Sequence, residues 1–221
     1  MHCAILWDND GVLVDSERLF YEANRTYFAD LGIDLDVSLY FEHFLCNNAG
    51  LWHLLRDRGW DDQRIAEGRA QRNRLYASLL RESPNLINPG IESVLEEFVG
   101  SCRMAVVTSS AREHFDQIHG RTNLLRHFEL VVAAGDYARE KPDPEPYQVA
   151  MNRLSVEPRD CIAVEDSPRG LRAATAAGID CIVLRSELTE QHSFEDAFAT
   201  VDSPIELGWE LRRWLARRSA A

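Results

Sequence analysis

Short apolar runs punctuate the chain at Cys3–Trp7, Met104–Val107, Phe128–Ala133 (broken only by Glu129), Cys161–Val164 and Cys181–Leu184. A run of this length without a polar alternation is the pattern of a strand buried on both faces. Between the later runs the period changes. Ile91, Val94, Leu95, Phe98 and Val99 fall on one face of a helix. Pro168–Ala177 reads as an alanine-rich helix, opened by Ser167 as N-cap with Pro168 in the first turn and closed by Gly178. Leu207, Leu211 and Leu215 mark a final packed helix with arginines on its outside. Strands alternating with helices predict an α/β fold, a doubly wound parallel sheet covered on both faces.

The alternation breaks once. Residues 16–86 contain amphipathic helical pattern and no strand-like run; Leu19, Ala23 and Tyr27 share one helix face, and Arg64–Leu80 forms the last helix of the segment. Ser83-Pro84-Asn85 through Asn88-Pro89-Gly90 is rich in turn residues and reads as a return linker. The expected organisation is therefore an α/β core from residues 1–15 and 87–221, with an all-helical domain of residues 16–86 inserted after the first strand. An insert there sits over the carboxyl edge of the sheet, where open α/β folds bind ligands.

Composition narrows the function. Asp and Glu outnumber Lys and Arg 36 to 24, for a formal net charge of −12. That balance argues against nucleic acid and against an anionic membrane as partner. No apolar run approaches the length of a membrane span or a secretory signal core. The five cysteines are scattered, without a CxxC pair, and read as reduced core thiols of a cytoplasmic protein. Lys141 is the sole lysine among the 24 basic residues. An ammonium is a compact point charge on a flexible stem, unlike the guanidinium fork, and a site that needs that geometry retains it.

The chemistry-bearing residues follow the predicted strands. Asp8 and Asp10, in Asp8-Asn9-Asp10-Gly11, come directly after the first; such a pair can divide labour between nucleophile and proton donor, though the same residues also make an ordinary turn. Thr108, Ser109 and Ser110 follow the second and offer hydroxyls and N–H groups to phosphate oxygens; the alternative is helix N-capping, favoured for Ser110. Glu165 and Asp166 follow the fourth. Two acidic pairs at one sheet edge repel unless a cation neutralises them, and carboxylates without His or Cys partners suit Mg²⁺. Together with Lys141 these residues form the set needed to transfer a phosphoryl group to an aspartate.

In this arrangement the chain resembles the haloacid dehalogenase superfamily, in particular the helical-cap branch that includes β-phosphoglucomutase and many small-molecule phosphatases. The resemblance spans essentially the whole sequence. It implies Asp8 as nucleophile through an aspartyl-phosphate, Asp10 as acid/base, Thr108 as phosphoryl-binding hydroxyl and Lys141 as the lysine that holds nucleophile and phosphate together. It further implies Mg²⁺ held by Asp8, Asp10 (through its backbone carbonyl) and Asp166, with Glu165 helping from behind. Ser109 and Arg72 are substrate-binding candidates, Arg72 against the reading that Arg69, Arg72, Arg74 and Arg81 form a solvated helix face.

The same comparison discriminates within the superfamily. Dehalogenases lack the second aspartate of the first motif, and phosphonoacetaldehyde hydrolases need a cap lysine that is missing here. β-Phosphoglucomutases have a histidine where this chain has Phe20, and a cap-loop arginine where it has Asn47-Asn48-Ala49. The expected activity is thus a Mg²⁺-dependent phosphatase, a monomer acting on a small phosphorylated metabolite, a sugar phosphate above all. A phosphomutase is the first rival and a non-catalytic binding module on the same fold the second.

Overall fold

The apolar runs form strands β1 (Ala4–Trp7), β2 (Arg103–Ala111), β3 (Leu130–Ala134), β4 (Cys161–Glu165) and β5 (Asp180–Leu184), to which β6 (Ala199–Val201) adds a short edge. The structure is a computed structural model and describes residues 3–219. All strands are parallel, in the order β3-β2-β1-β4-β5-β6. Along each strand alternate residues serve opposite layers. Ile5, Trp7, Met104, Val106, Ile162 and Val164 pack on one face with helices α5 (Ile91–Phe98), α6 (Arg112–His119) and α9 (Pro204–Ser219), while Ala4, Leu6, Ala105, Val107 and Ala163 pack on the other with α7 (Glu145–Leu154) and α8 (Pro168–Ala176). Continuous apolar strands are the direct result: neither face meets water.

Between β1 and α5 the chain builds α1 (Glu17–Ala29), α2 (Val37–Tyr40), a π-helical stretch Phe41–Cys46, α3 (Trp52–Asp57) and α4 (Asp62–Glu82). These helices enclose an apolar cluster of their own around Phe28, Leu35, Tyr40, Leu45, Trp52 and Leu55. Leu19, Ala23 and Tyr27 are buried along α1 as their spacing predicts. Local signals end the elements. Asp61 caps α4 by accepting the Arg64 N–H at 2.8 Å, and Ser167 caps α8 by accepting the Gly170 N–H at 3.2 Å.

Two expectations need correction. Ser110 is not a helix N-cap: β2 runs on through Thr108, Ser109 and Ser110 to Ala111, with a register shift after Val107, and the Ser110 hydroxyl turns to Asp10 instead. The cysteines are all free, but only Cys102, Cys161 and Cys181 are buried; Cys3 and Cys46 are half-buried. Among the described residues no helix is long and apolar enough to cross a membrane.

Behind the β1 loop lies a buried polar link. Asn9 is fully buried, its main-chain oxygen receives the N–H groups of Leu13 and Val14 at 2.9 and 3.1 Å, and its Oδ1 lies 2.7 Å from His119 Nε2. The other ring nitrogen of His119 meets Thr122 Oγ1 at 2.9 Å. Burial pushes the His119 pKa down to about 4, outweighing Asp10 and Asp116. An unfolded histidine takes up its proton near its ordinary value, so stability due to neutral His119 is complete above pH 6.5 and is lost as pH falls from there toward 4. The loss amounts to roughly 3 kcal/mol over that window. His119→Gln is expected to flatten the decline between pH 6.5 and 4 in urea unfolding titrations; an unchanged slope would remove His119 from the acid response.

Candidate active site

Register brings the site together. Trp7 pairs with Val106 on one side and Val164 on the other, so Asp8, Val107 and Glu165 emerge level at the carboxyl edge of the sheet. The Asp8 N–H donates to Val164 O at 2.9 Å and extends the ladder by one bond. Strand order reverses at β1, the place where α/β sheets open a crevice.

Lys141 reaches this edge from the segment between β3 and α7, and its ammonium is 3% exposed. It donates to Asp8 Oδ1 at 2.7 Å, Glu165 Oε1 at 2.6 Å and Val107 O at 2.8 Å, which uses all three of its hydrogens. Burial opposes the charge on Lys141, but Asp8 and Glu165 outweigh it and raise its pKa. Glu165 is held from the far side by the Tyr147 hydroxyl at 2.5 Å. Gly170 is needed here, because a Cβ at that position would collide with the Glu165 carboxylate.

Negative charge is crowded. Asp8, Glu165 and Asp166 each offer a carboxylate oxygen within 4.8 Å of the others, all three buried. Burial first, and then Glu165 and Asp10, push the Asp8 carboxyl up to about 7 against the pull of Lys141. Asp166 is raised well above the carboxylate range by burial and by Asp8, Glu17 and Glu165. Asp166 Oδ2 is buried with no hydrogen-bond partner. It lies against Gly11, which takes a left-handed φ of +84° and has no room for a Cβ. A hard divalent cation fits this donor set: it would occupy the orphaned oxygen and relieve the repulsion. The Asp10 carboxylate stands apart from the cluster.

Asp10 faces hydroxyls instead. Ser16 Oγ donates to its Oδ1 at 2.5 Å, and Ser110 Oγ and Thr108 Oγ1 donate to its Oδ2 at 2.5 and 3.2 Å. Thr108 Oγ1 in turn accepts the Ser110 N–H at 2.9 Å. Ser109 Oγ is buried without a hydrogen-bond partner. Asp8, Asp10, Thr108 and Ser109 all line one cavity of about 340 Å³, between the sheet edge and the helices of residues 17–82.

Arg72 lines the same cavity, which overturns the solvated-face reading for this residue; Arg69, Arg74 and Arg81 are exposed, as that reading requires. Its guanidinium is 9% exposed, donates to Asn24 Oδ1 at 2.7 Å and Asn73 Oδ1 at 2.9 Å, and lies 4.3 Å from the Phe20 ring centre. Burial pushes its pKa down to about 10. Phe20 meets Tyr76 edge-on at 5.1 Å, and with Phe44 and Trp52 these rings form an aromatic wall. Trp52 packs in the apolar cluster of the helical segment, and its ring also reaches the cavity.

Glu17 and Arg169 are among the cavity residues that escaped the sequence reading. Glu17 is buried and accepts a hydrogen bond from Tyr40, and burial raises its pKa. Its signal was a carboxylate on the buried stripe of α1, in helical register with Phe20, Asn24 and Tyr27. Arg169 lies in the first turn of α8, where the helix dipole disfavours a cation. That mismatch was legible and passed over.

A family model described as haloacid dehalogenase-like hydrolase matches residues 5–184. Protein CbbY of Cereibacter sphaeroides is 33% identical over 216 residues, covering 93% of this chain and 94% of the relative. A phosphorylated carbohydrates phosphatase of Thermotoga maritima is 33% identical over 189 residues, covering 81% and 83%. Among solved structures, CbbY from Rhodobacter sphaeroides in complex with xylulose-(1,5)-bisphosphate superposes with a TM-score of 0.77 at 29% identity, over 94% of this chain and 97% of that one. With a matched model over most of its length and these relatives along nearly all of it, the chain belongs to the haloacid dehalogenase-like hydrolase family.

Proposed function

We propose that this protein is a Mg²⁺-dependent phosphatase that hydrolyses a small phosphorylated sugar through an aspartyl-phosphate on Asp8. The observation that supports it most is Lys141 bridging Asp8 and Glu165 beside an unpartnered Asp166 oxygen, a buried carboxylate set that only a cation completes. The names of the relatives support the substrate class: one is a phosphatase of phosphorylated carbohydrates and another binds a sugar bisphosphate. The aromatic wall of Phe20, Phe44, Trp52 and Tyr76 suits the apolar face of a sugar skeleton. In this reading residues 16–86 are the cap domain and residues 1–15 with 87–221 the catalytic core.

Asp8 attacks phosphorus in line with the departing oxygen, and Asp10 gives that oxygen its proton. Asp10 is aimed for the task by Ser16, Thr108 and Ser110, which fix both of its oxygens. Lys141 keeps Asp8 oriented and balances charge as the phosphoryl group arrives. The unpartnered Ser109 hydroxyl donates to a phosphoryl oxygen, and the Thr108 hydroxyl turns from Asp10, its longer hydrogen bond, to donate to another. Deprotonated Asp10 then takes a proton from water, which attacks the acyl phosphate and frees Asp8. Asp8, the backbone carbonyl of Asp10 and Asp166, with Glu165 behind, would hold Mg²⁺, which would supply the positive charge that screens nucleophile from phosphate. The cap excludes bulk water during both steps.

Asp8→Asn is expected to lower phosphate release from sugar phosphates by on the order of 10⁴-fold or more, with thermal unfolding of the variant still cooperative. Appreciable residual turnover would refute the nucleophile assignment. β-Glucose 1-phosphate should yield free phosphate; glucose 6-phosphate as product would make the protein a mutase. Chelation with EDTA should abolish turnover and Mg²⁺ restore it. Asp166→Asn should raise the Mg²⁺ needed for half-maximal rate by roughly tenfold or more, read from metal titrations of the rate.

A further inference from the structure

The residues assigned to the transferred phosphoryl group leave the arginines of the cavity without work, Arg169 above all. Arg169 lines the cavity, yet it makes no hydrogen bond and no ion pair with any described residue, and its Nε is buried without a partner. Burial opposes its charge, but Glu17, Asp8, Asp166 and Glu165, in that order, outweigh it and keep the guanidinium ionised. None of them comes within ion-pair distance. A structural arginine in such company forks onto a carboxylate, as Arg185 does with Asp202 at 2.7 and 2.8 Å. Arg169 instead has its charge compensated from a distance and its donors idle. That is the state of a binding group before its ligand arrives.

Arg72 supplies the companion. It is anchored from behind, through Nη1 to Asn24 and Nε to Asn73, and packs flat over Phe20, which leaves Nη2 unused beside the cavity. Arg72 and Arg169 both act on Glu17 and on the Tyr40 hydroxyl that binds it, so the two guanidinium groups share one neighbourhood of the wall. The Glu17 carboxylate is taken up by the Tyr40 hydroxyl and forms no ion pair with either guanidinium. Guanidinium groups offer donors only, in a fork that matches carboxylate and phosphate oxygens; neutral hydroxyls would not offset the cost of keeping two such charges out of water.

We propose that Arg169, with Arg72, binds a second anionic group of the substrate, a carboxylate or phosphate carried on the carbon skeleton apart from the phosphoryl group that is transferred. The proposal rests on the phosphatase reading and sharpens its substrate class to sugars with two anionic ends. Arg169 is then the residue that separates such compounds from simple monophosphates.

Two matched pairs test it: fructose 1,6-bisphosphate against fructose 6-phosphate for a second phosphate, and 6-phosphogluconate against glucose 6-phosphate for a carboxylate. The wild-type protein should prefer the doubly anionic member of at least one pair in kcat/KM, and which pair identifies the anion. Arg169→Gln should erode that preference by roughly tenfold to a hundredfold, mainly through KM, and Arg169→Lys should recover part of it. Dissociation constants of the same four compounds, measured by calorimetry on wild type and Arg169→Gln with Mg²⁺ present, read the preference without turnover. Failure to hydrolyse any phosphate would sink the phosphatase reading while this binding comparison still judges Arg169. Equal losses on both members of each pair would overturn the proposal and make Arg169 a structural residue. An unchanged preference with tighter Mg²⁺ binding would overturn it in favour of a counter-charge role.

Discussion

A single buried ammonium joins the three parts of the catalytic edge. Lys141 ties the end of β1 to the ends of β2 and β4 through Asp8, Val107 and Glu165, and it does so from a loop belonging to none of them. Placing such a charge in the interior is costly unless every donor finds an acceptor, and here every donor does. Without it, Asp8 and Glu165 would face each other as buried like charges; with it, the central strand's first polar residue is held level with those of its neighbours. Glu165 repeats the logic one layer down, pinned by Tyr147 and packed against a glycine that leaves it space.

The sheet and the helical segment contribute different chemistry to one cavity. The strand ends provide carboxylates, hydroxyls and the ammonium, fixed by a ladder whose register admits no slip without turning Asp8 into the core. The helices provide rings and long cations: Phe20, Trp52 and Tyr76 as surfaces, Arg69 and Arg72 as reach. Asn48, with a left-handed φ of 51°, donates to Glu140 Oε2 at 2.8 Å, so a loop of the helical segment touches the residue next to Lys141. The rigid half fits chemistry common to a family, and the adaptable half fits the choice of substrate.

Much of this was legible because the sheet announces itself. Five strands gave continuous apolar runs, and a polar residue that ends such a run must sit at the sheet edge; Asp8, Thr108 and Asp166 were found by that rule. β6 gave no run because it is a three-residue edge whose middle residue, Thr200, is exposed. α6 and α7 were not singled out: α6 has few buried residues and they are interleaved with charge, and α7 is only ten residues long, with Pro146 in its first turn and polar Gln148 and Asn152 between its buried positions. The extension of β2 past Val107 depends on a register shift, a tertiary event that local preference for a Ser N-cap does not anticipate. Arg72 left two readings open for a related reason: on α4 it is flanked by exposed arginines, and only packing against α1 distinguishes it from them. Glu17 and Arg169 each broke a local rule, and both proved to face the cavity.

The Ser16 hydroxyl on Asp10 has a mechanical meaning. Ser16 is the residue immediately before α1, the point where the chain leaves the sheet for the helical segment, and its Oγ fixes one oxygen of Asp10. In the proposed cycle, the residue at which the chain leaves the sheet is thus also one that holds the acid–base carboxylate, so a swing of the helical segment about that joint would reach Asp10 through a single hydroxyl.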